Sequence, residues 1–425
     1  MKRQEIKEFI KENKNFKLLW ISQILSQITI NMITFVMATR IYEKTGSTVA
    51  VSFLWFFLFL PGFFLGPFSG YFIDRWSLRK TLLVTNFIQG MTIFLFLFIG
   101  HKIYLIYPIV FLYSLLNQFY GPAEAAFLPW LVKKEGLKIA NSLFVLTSQG
   151  ALIFGLGVSG ILMTLFGKNN PVWISAISLL TAAVAVYFLP KNEPKKIFHK
   201  NSFSRFLKET KFGYSFIKNS KIILFPIVLM VFLQIFLTVI AITIPNLSRD
   251  ILNMSMQHAG PILVVPAGLG ALIGVYLMNR FGHENRKSIL MKFGFGLALF
   301  VLSFIAVALP YLGIYRYWLI VPLMLLFGIS IIFITVPNQT LVQENTPPIL
   351  RGRVYAAWGF FANVLVLPSI LFSSTIVDII GVRPFFILAA LFLFTIVLFF
   401  DKMEGFILSK EESIFKYFAN NHEIK

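Results

Sequence analysis

The sequence predicts an all-α integral membrane protein in which twelve transmembrane helices form two pseudo-symmetric six-helix bundles. First, 57% of the residues are hydrophobic and 13% are charged, whereas about a quarter of the residues of a typical soluble domain are charged. Second, long apolar runs recur along the whole chain, and at ~1.5 Å per residue each can cross the ~30 Å hydrocarbon layer as a helix. Third, the two halves of the chain repeat one another, which indicates two bundles.

Twelve apolar runs are the predicted spans. They cover residues 17–41, 48–73, 81–100, 104–130, 140–166, 171–189, 221–246, 258–279, 288–309, 316–341, 354–376 and 384–400. Their grouping predicts an N-terminal six-helix bundle with a cytoplasmic tail (1–190), a cytoplasmic basic linker (191–220) and a C-terminal six-helix bundle with a second cytoplasmic tail (221–425).

The distribution of Lys and Arg predicts the orientation. The chain has 38 Lys and Arg against 18 Asp and Glu. With the N-terminus inside, seven of these bases lie outside, namely Arg40, Lys44, Lys102, Lys168, Arg249, Arg316 and Arg383. Because cytoplasmic loops of membrane proteins carry the excess of Lys and Arg, both termini are predicted to be cytoplasmic. Residues 2–17 lack a signal-peptide cleavage site, so they are interpreted as a retained tail.

The linker is the longest polar segment, and it interleaves bases with Phe203, Phe206, Phe212 and Phe216. This pattern predicts an amphipathic helix that lies along the anionic inner leaflet of the bilayer. In a soluble chain the net charge of +20 would suggest a nucleic-acid partner. Here the bias of bases toward the cytoplasmic side explains the charge, so no nucleic acid is expected.

Polar residues of the first half recur in the second half at nearly constant spacing. Gln27, Asn31 and Glu43 are matched by Gln234, Thr238 and Asp250. The segment Asp74-Arg75-Trp76-Ser77 is matched by Asn279-Arg280-Phe281-Gly282, and Pro122-Ala123-Glu124 by Pro337-Asn338-Gln339. Three pairings in the same order favour two bundles related by a pseudo-twofold axis.

The connection between the second and third spans has a distinctive charge pattern, which consists of Gly70, Asp74, Arg75, Arg79 and Lys80. It resembles the signature loop between the second and third helices of the major facilitator superfamily. The resemblance implies a latch that holds the two halves together in the outward-facing state, against the start of the eleventh span at Arg351-Gly352-Arg353-Val354. Alternatively, these charges anchor the loop at the cytoplasmic interface. The copy at Asn279-Arg280 lacks the acid, which predicts a weaker latch there.

Further motifs resemble the bacterial macrolide and siderophore exporter branch of this superfamily. They are Leu60-Pro61-Gly62 with Gly66-Pro67, Gly121-Pro122, Leu128-Pro129-Trp130-Leu131-Val132, Ala140-Asn141-Ser142-Leu143 and Arg351-Gly352-Arg353-Val354. The resemblance covers the chain from the first span to the twelfth. It implies an exporter in the bacterial cell membrane, driven by the proton gradient and working by alternating access between two bundles.

One face of the first span is polar, since Gln23, Gln27, Asn31 and Thr34 are spaced four, four and three residues apart. Polar groups in hydrocarbon need partners, either across a helix interface or in a wet cavity. In the resembled fold the first and seventh helices line the central pathway, so a substrate pathway is the preferred interpretation and interhelical contact the alternative. The predicted pathway residues also include Asn117, Gln234, Thr238 and Gln339.

Glu124 is the most isolated acid inside a predicted span. A carboxylate that is buried without a partner favours its protonated form, which is what a proton-coupled carrier requires. Glu124 is therefore a candidate proton-coupling residue. The alternative is a gate or a structural salt bridge with a base of a neighbouring loop, because the residue lies near the cytoplasmic end of its span.

The fifth span carries the run Gly155-Leu156-Gly157-Val158-Ser159-Gly160, whose small residues allow helices to approach closely. The run resembles a Gly-Pro-x-x-Gly-Gly motif of the drug antiporters of the superfamily. Leu156 stands where that motif has Pro, and Ser159 stands where it has Gly. Generic helix packing explains the run almost as well.

The interior composition predicts the class of substrate. No Lys or Arg lies deep in a span, which argues against sugar phosphates and dianions. The chain has 49 Phe, and its intramembrane polar groups are mainly amides and hydroxyls. A bulky, amphipathic, neutral or cationic small molecule is expected, with protons as the coupling ion, in a monomeric carrier. An uptake carrier or a lysophospholipid transporter is the alternative.

Enzymatic activity is not expected. The five histidines lie in loops, at span ends or in the tail without metal-ligand spacing: His101, His199, His258, His283 and His422. There is no phosphate-binding loop and no Cys, so neither a metal nor a cofactor is predicted. A non-transporting membrane sensor is the remaining alternative from a different class, with partner binding through the linker.

Overall fold

The structure is a computed structural model that describes residues 3–73, 75–98, 102–133, 136–167, 169–191, 218, 221–281 and 287–408. Within these residues, twelve helices are long and apolar enough to cross a membrane. The predicted fold class is confirmed. The predicted linker lies almost wholly outside the described residues, as do Asp74 and the last part of the C-terminal tail.

The first half begins with a short amphipathic helix that precedes the spans. This helix is α1 (Arg3–Glu12), and its Phe9 side chain is buried. The first six spans are α2 (Lys14–Thr45), α3 (Thr48–Ile73), α4 (Leu78–Leu95), α5 (Ile106–Leu131), α6 (Leu137–Phe166) and α7 (Asn170–Tyr187).

The second half supplies six more spans. They are α8 (Lys221–Asn246), α9 (Val265–Phe281), α10 (Lys287–Val307), α11 (Tyr315–Asn345), α12 (Pro348–Ile380) and α13 (Val382–Leu408). Between α8 and α9 the chain forms the short segments Leu247–Ile251, Met256–His258 and Gly260–Val264. The eighth span, predicted as 258–279, thus begins with irregular turns, and its regular α-helix starts at Val265.

The chain divides into two compact units. One comprises Met1–Phe203, Ile244–Arg249 and Asn253–Val265, and the other comprises Ser204–Thr243, Asp250–Leu252 and Pro266–Lys425. The end of the seventh span and the start of the eighth therefore pack with the first unit. The predicted domain bounds remain a prediction.

Equivalent helices pair in each unit. In the first unit α4 packs on α5 and α7, so the third span contacts the fourth and the sixth. In the second unit α10 packs on α11 and α13, so the ninth span contacts the tenth and the twelfth. The same pairing in both halves matches the internal repeat of the sequence.

Local signals explain where individual helices end. Gly46 follows α2 with φ of 64°, and its N–H donates to the carbonyl oxygen of Tyr42, a left-handed cap that glycine adopts without steric cost. Ser77 precedes α4, and its hydroxyl oxygen accepts a hydrogen bond from the backbone N–H of Lys80 at 3.3 Å, as expected of an N-cap.

Candidate functional site

The predicted polar face of the first span lies against α6. Gln23 is buried, and its Nε2 donates to the carbonyl oxygen of Phe144 at 3.3 Å. Among the described residues its Oε1 has no hydrogen-bond partner. This contact with α6 is of the kind that the interhelical alternative describes, and a part for Gln23 in the substrate pathway stays a prediction.

Asn31 lies at a close approach of α2 and α6. A Cβ atom placed on Gly155 would lie 2.4 Å from the Cβ of Asn31 and 2.9 Å from the carbonyl oxygen of Ile28, well inside van der Waals contact. The Asn31 side chain is half-buried and donates from Nδ2 to the carbonyl oxygen of Gln27 at 2.8 Å. The glycine run of the fifth span therefore permits close packing on the polar face of the first.

The remaining pathway residues differ in exposure. Thr34 and Thr238 are buried and donate to carbonyl oxygens of their own helices, Ile30 and Gln234 respectively, each at 2.7 Å. Gln27 and Gln234 are half-buried, whereas Asn117 and Gln339 are exposed.

Glu124 is buried in α5, where its side chain is 8% exposed. It lies beside buried apolar groups of its own helix, Ala123 and Phe127. Tyr120, one turn earlier, donates from Oη to Oε1 of Glu124 at 2.9 Å. Among the residues that the structure describes, no Lys or Arg forms a salt bridge with Glu124. The carboxyl group thus lies in an apolar setting with a hydroxyl group as its partner.

A chain of hydrogen bonds extends from Glu124 into the first unit. Tyr120 Oη lies 3.4 Å from Ser22 Oγ in α2. Ser22 Oγ accepts from Nδ2 of Asn86 in α4 at 3.0 Å, and Asn86 Oδ1 accepts from Ser26 Oγ at 2.9 Å. All five side chains are buried. The chain therefore connects three spans across the interior of the first unit.

Four members of this chain were missed by sequence reasoning, which selected the larger amides of the first span. Ser22 and Ser26 are spaced four residues apart and mark a second polar face, adjacent to the Gln23 face. That spacing, together with Asn86 in the middle of an apolar run, was a signal that could have indicated the contact. The partners are far apart in the sequence, so the sequence did not indicate which of them are in contact.

The cytoplasmic loop motif is described in part. Asp74 lies outside the described residues, as do the side chains of Asn279, Arg351 and Arg353. The backbone of Gly70 is helical and lies in the last turn of α3, which ends at Ile73. Arg75, Lys80 and Arg280 are exposed. The predicted contact between the loop and the start of the eleventh span stays a prediction.

Arg79 is buried, unlike its neighbours in the motif. Its Nη2 donates to the carbonyl oxygen of Tyr187 at the end of α7, and its guanidinium lies 5.3 Å from the centre of the Tyr187 ring. Arg79 therefore ties the start of the third span to the end of the sixth.

The described residues contain no group of three or more His, Asp or Glu side chains that could hold a metal ion.

Comparison with known proteins places the protein in a family. Macrolide efflux protein A of Streptococcus pyogenes is 25% identical over 385 residues, which cover 88% of this chain and 92% of that protein. The putative bacilysin exporter BacE of Bacillus subtilis (strain 168) is 27% identical over 332 residues, which cover 72% of this chain and 77% of that protein.

Solved structures show the same fold. A mutant of the nucleoside transporter NupG aligns with a TM-score of 0.74 at 13% identity, over 92% of this chain and 99% of that one. A bacterial homologue of the iron transporter ferroportin, in its inward-facing state, aligns with a TM-score of 0.67 at 14% identity, over 92% and 98%. The family model described as Major Facilitator Superfamily matches residues 19–368, and the chain therefore belongs to that superfamily of membrane transporters.

Proposed function

We propose that the protein is a secondary active exporter that moves bulky amphipathic compounds, such as macrolide-like drugs or siderophores, out of the bacterial cell in exchange for protons. Family membership makes the protein a multi-pass membrane transporter with a small-molecule substrate. The direction and the substrate class are supported by the similarity to macrolide efflux protein A over 92% of its length. Alternating access between the two halves is the mechanism expected of such a carrier.

The observation that carries the proposed proton coupling is the setting of Glu124. Its carboxyl group is 8% exposed and accepts a hydrogen bond from Tyr120. A charge buried without a cation is costly, so a carboxyl group in this setting is more stable with its proton bound. A conformational change that admits water would allow the proton to leave. Glu124 thus has the property that a proton-exchanging carrier needs.

The proposed substrate pathway contains the polar residues that keep some exposure. Gln27, Asn31 and Gln234 are half-buried, and Asn117 and Gln339 are exposed. We include Thr34 and Thr238 because they lie on the same helices, although their hydroxyl groups are satisfied by their own backbones. Amide groups can hydrogen-bond a neutral or cationic ligand without requiring a counter-charge.

The proposal also covers placement in the cell. The protein lies in the bacterial plasma membrane as a monomer, with both termini in the cytoplasm and the basic linker at the inner leaflet. The uneven distribution of Lys and Arg supports this orientation. The loop of Gly70, Asp74, Arg75, Arg79 and Lys80 acts as the cytoplasmic latch, with Arg351 and Arg353 as its partners and Asn279 and Arg280 as its weaker counterpart.

The test is drug accumulation in a bacterium that lacks its major efflux pumps. Expression is expected to lower the accumulation of a radiolabelled macrolide, and a protonophore is expected to abolish the effect. Glu124→Gln is expected to lose the protonophore-sensitive export. Glu8→Gln is the matched control, since Glu8 is exposed on α1, and it is expected to export as wild type does.

Three results would count against this proposal. Unchanged accumulation across a broad panel of macrolides, dyes and siderophores would exclude drug export. Increased accumulation would indicate uptake instead. Full proton-driven export by Glu124→Gln would make Glu124 structural and place the coupling group elsewhere. Transfer of a labelled lysophospholipid in vesicles would identify the lipid alternative.

A further inference from the structure

We infer that the hydrogen-bonded chain of Tyr120, Ser22, Asn86 and Ser26 positions the Glu124 carboxyl group and sets the pH at which it releases its proton. The inference rests on the proposed function in one respect, namely that the proton released by Glu124 is the one coupled to export. Tyr120 is a positioning residue in this scheme, since its hydroxyl group contacts the carboxyl group directly.

The hydrogen bonds of the chain have one direction. A tyrosine hydroxyl group has one hydrogen, and Tyr120 donates it to Oε1 of Glu124 at 2.9 Å. In the 3.4 Å contact between Ser22 Oγ and Tyr120 Oη, Ser22 must therefore be the donor. Ser22 in turn accepts from Asn86 Nδ2 at 3.0 Å.

Asn86 fixes this direction because the two ends of an amide differ. Its Nδ2 can only donate and its Oδ1 can only accept. In the structure Nδ2 points to Ser22 and Oδ1 accepts from Ser26 at 2.9 Å. Each donor is thus aimed toward Glu124, and successive hydrogen bonds polarise one another. Such a chain stabilises the ionised carboxylate more than the neutral acid, because bonds to charged acceptors are the stronger ones.

The hydrogen-bonded chain affects the ionisation of Glu124 because its side chains are buried. The side chains of Ser22 and Asn86 are fully buried, and Tyr120 is 3% exposed. In a low-dielectric interior a hydrogen bond to a charge is stronger than in water. The apolar setting favours the neutral acid and the chain favours the carboxylate, so the two oppose each other at Glu124. Their balance determines when the proton leaves.

The described neighbours of α5 offer no competing charge at this position. The helix α3 contains no Asp, Glu, Lys, Arg or His. In α4 the buried base, Arg79, is directed to Tyr187, and Lys80 is exposed. The bases Lys14 and Lys17 at the start of α2 are exposed as well. The charged residue of α6 is Lys138, which lies in the first turn of the helix. The structure does not describe its side chain. Among the side chains that the structure describes on these helices, Tyr120 is therefore the titratable group that faces Glu124.

The test is an infrared titration of the purified full chain in lipid nanodiscs. The band of the protonated carboxyl group that is lost in Glu124→Gln reports the ionisation of Glu124. In Tyr120→Phe the donor to the carboxylate is gone, so the midpoint of this band is expected to move to higher pH by about one unit. Ser22→Ala removes the next donor, and a smaller shift in the same direction is expected.

Tyr113→Phe is the matched control, because Tyr113 is a buried tyrosine of the same helix two turns from Tyr120. Its midpoint is expected to equal that of wild type. If Tyr120→Phe does not insert or fold, the midpoint of Ser22→Ala alone tests the inference. Midpoints of Tyr120→Phe and Ser22→Ala equal to that of Tyr113→Phe would overturn the inference, as would the absence of a titrating band assignable to Glu124.

The titration is independent of export. A midpoint that depends on Tyr120, together with export that is insensitive to protonophore, would uphold the inference and reject the proposed coupling. Conversely, proton-driven export that is lost in Glu124→Gln, with an unmoved midpoint in Tyr120→Phe, would uphold the coupling and reject the role of the chain.

Discussion

Equivalent residues in the two halves have different environments. In the first half, Pro122-Ala123-Glu124 buries the acid. In the second half, Pro337-Asn338-Gln339 exposes Gln339 and buries Asn338, which donates from Nδ2 to the carbonyl oxygen of Pro226 at 3.0 Å. The buried polar group has moved by one position, and it is an amide that does not titrate. At this pair of positions, the first half therefore buries a group that can titrate and the second half buries one that cannot.

The contact between Gly155 and the first span leads to a prediction for a single methyl group. In Gly155→Ala, the added Cβ would lie 2.4 Å from the Cβ of Asn31, so the helices α2 and α6 would have to separate. Overpacking of this kind typically costs about 1–3 kcal/mol. We expect a lower midpoint of thermal unfolding in detergent, measured by tryptophan fluorescence.

Gly150→Ala is the matched control for this prediction. It lies in the same helix, and a Cβ built there meets no other atom within 4 Å. Alanine in a helix interior is favoured over glycine by up to about 1 kcal/mol, so its midpoint should be equal to or above that of wild type. Equal destabilisation by both substitutions would mean that the close approach at Asn31 is not the cause.

The sequence revealed the isolated group of the site but not its partners. Glu124 could be singled out because an acid in an apolar run is rare and expensive. Ser22, Ser26 and Asn86 could not be assigned in the same way, because small polar residues occur in many spans and can bond to their own helix backbone. Their partners lie on other helices, and which helices meet is decided by packing that one sequence does not display.

At the scale of elements, contacts in the connection between α3 and α4 fix the position at which the third span begins. Ser77 caps α4 through the N–H of Lys80, and Arg79 bonds to the carbonyl oxygen of Tyr187. A base near the end of α7 also interacts favourably with the negative end of that helix dipole. Arg79 and Lys80 of the loop motif thus have a structural role, in addition to any latch that Asp74 forms.

The asymmetry of the loop motif predicts unequal effects of two substitutions. Asp74→Asn removes the acid of the first-half motif, whereas Asn279→Ala changes the counterpart that already lacks a charge. We expect Asp74→Asn to reduce export by roughly tenfold, which corresponds to about 1.4 kcal/mol, and Asn279→Ala to leave export near the wild-type rate. The measurement is the initial rate of drug efflux at matched protein levels, and equal rates in the two variants would contradict the prediction.

Hydropathy predicts the spans themselves, but it predicts only some of their ends. The predicted spans 48–73 and 221–246 coincide with α3 and α8. The eleventh was predicted to begin at residue 354, yet α12 begins at Pro348, since a helix continues past the hydrocarbon and can include the polar residues around Arg351. Proline is well accommodated at such a first position. The hydrophobic pattern indicates which residues lie in the hydrocarbon layer, whereas caps and backbone turns determine where a helix ends.

At the scale of the whole molecule, the orientation gives the sharpest test, because the chain has no Cys and every introduced thiol is unique. Lys102 and Lys133 are exposed lysines on either side of α5. The bias of bases toward the cytoplasm predicts Lys102 outside and Lys133 inside. In intact cells a membrane-impermeant maleimide should label Lys102→Cys at least tenfold more than Lys133→Cys. After permeabilisation both should react, which controls for their accessibility. The opposite preference in intact cells would invert the proposed topology and place both termini outside.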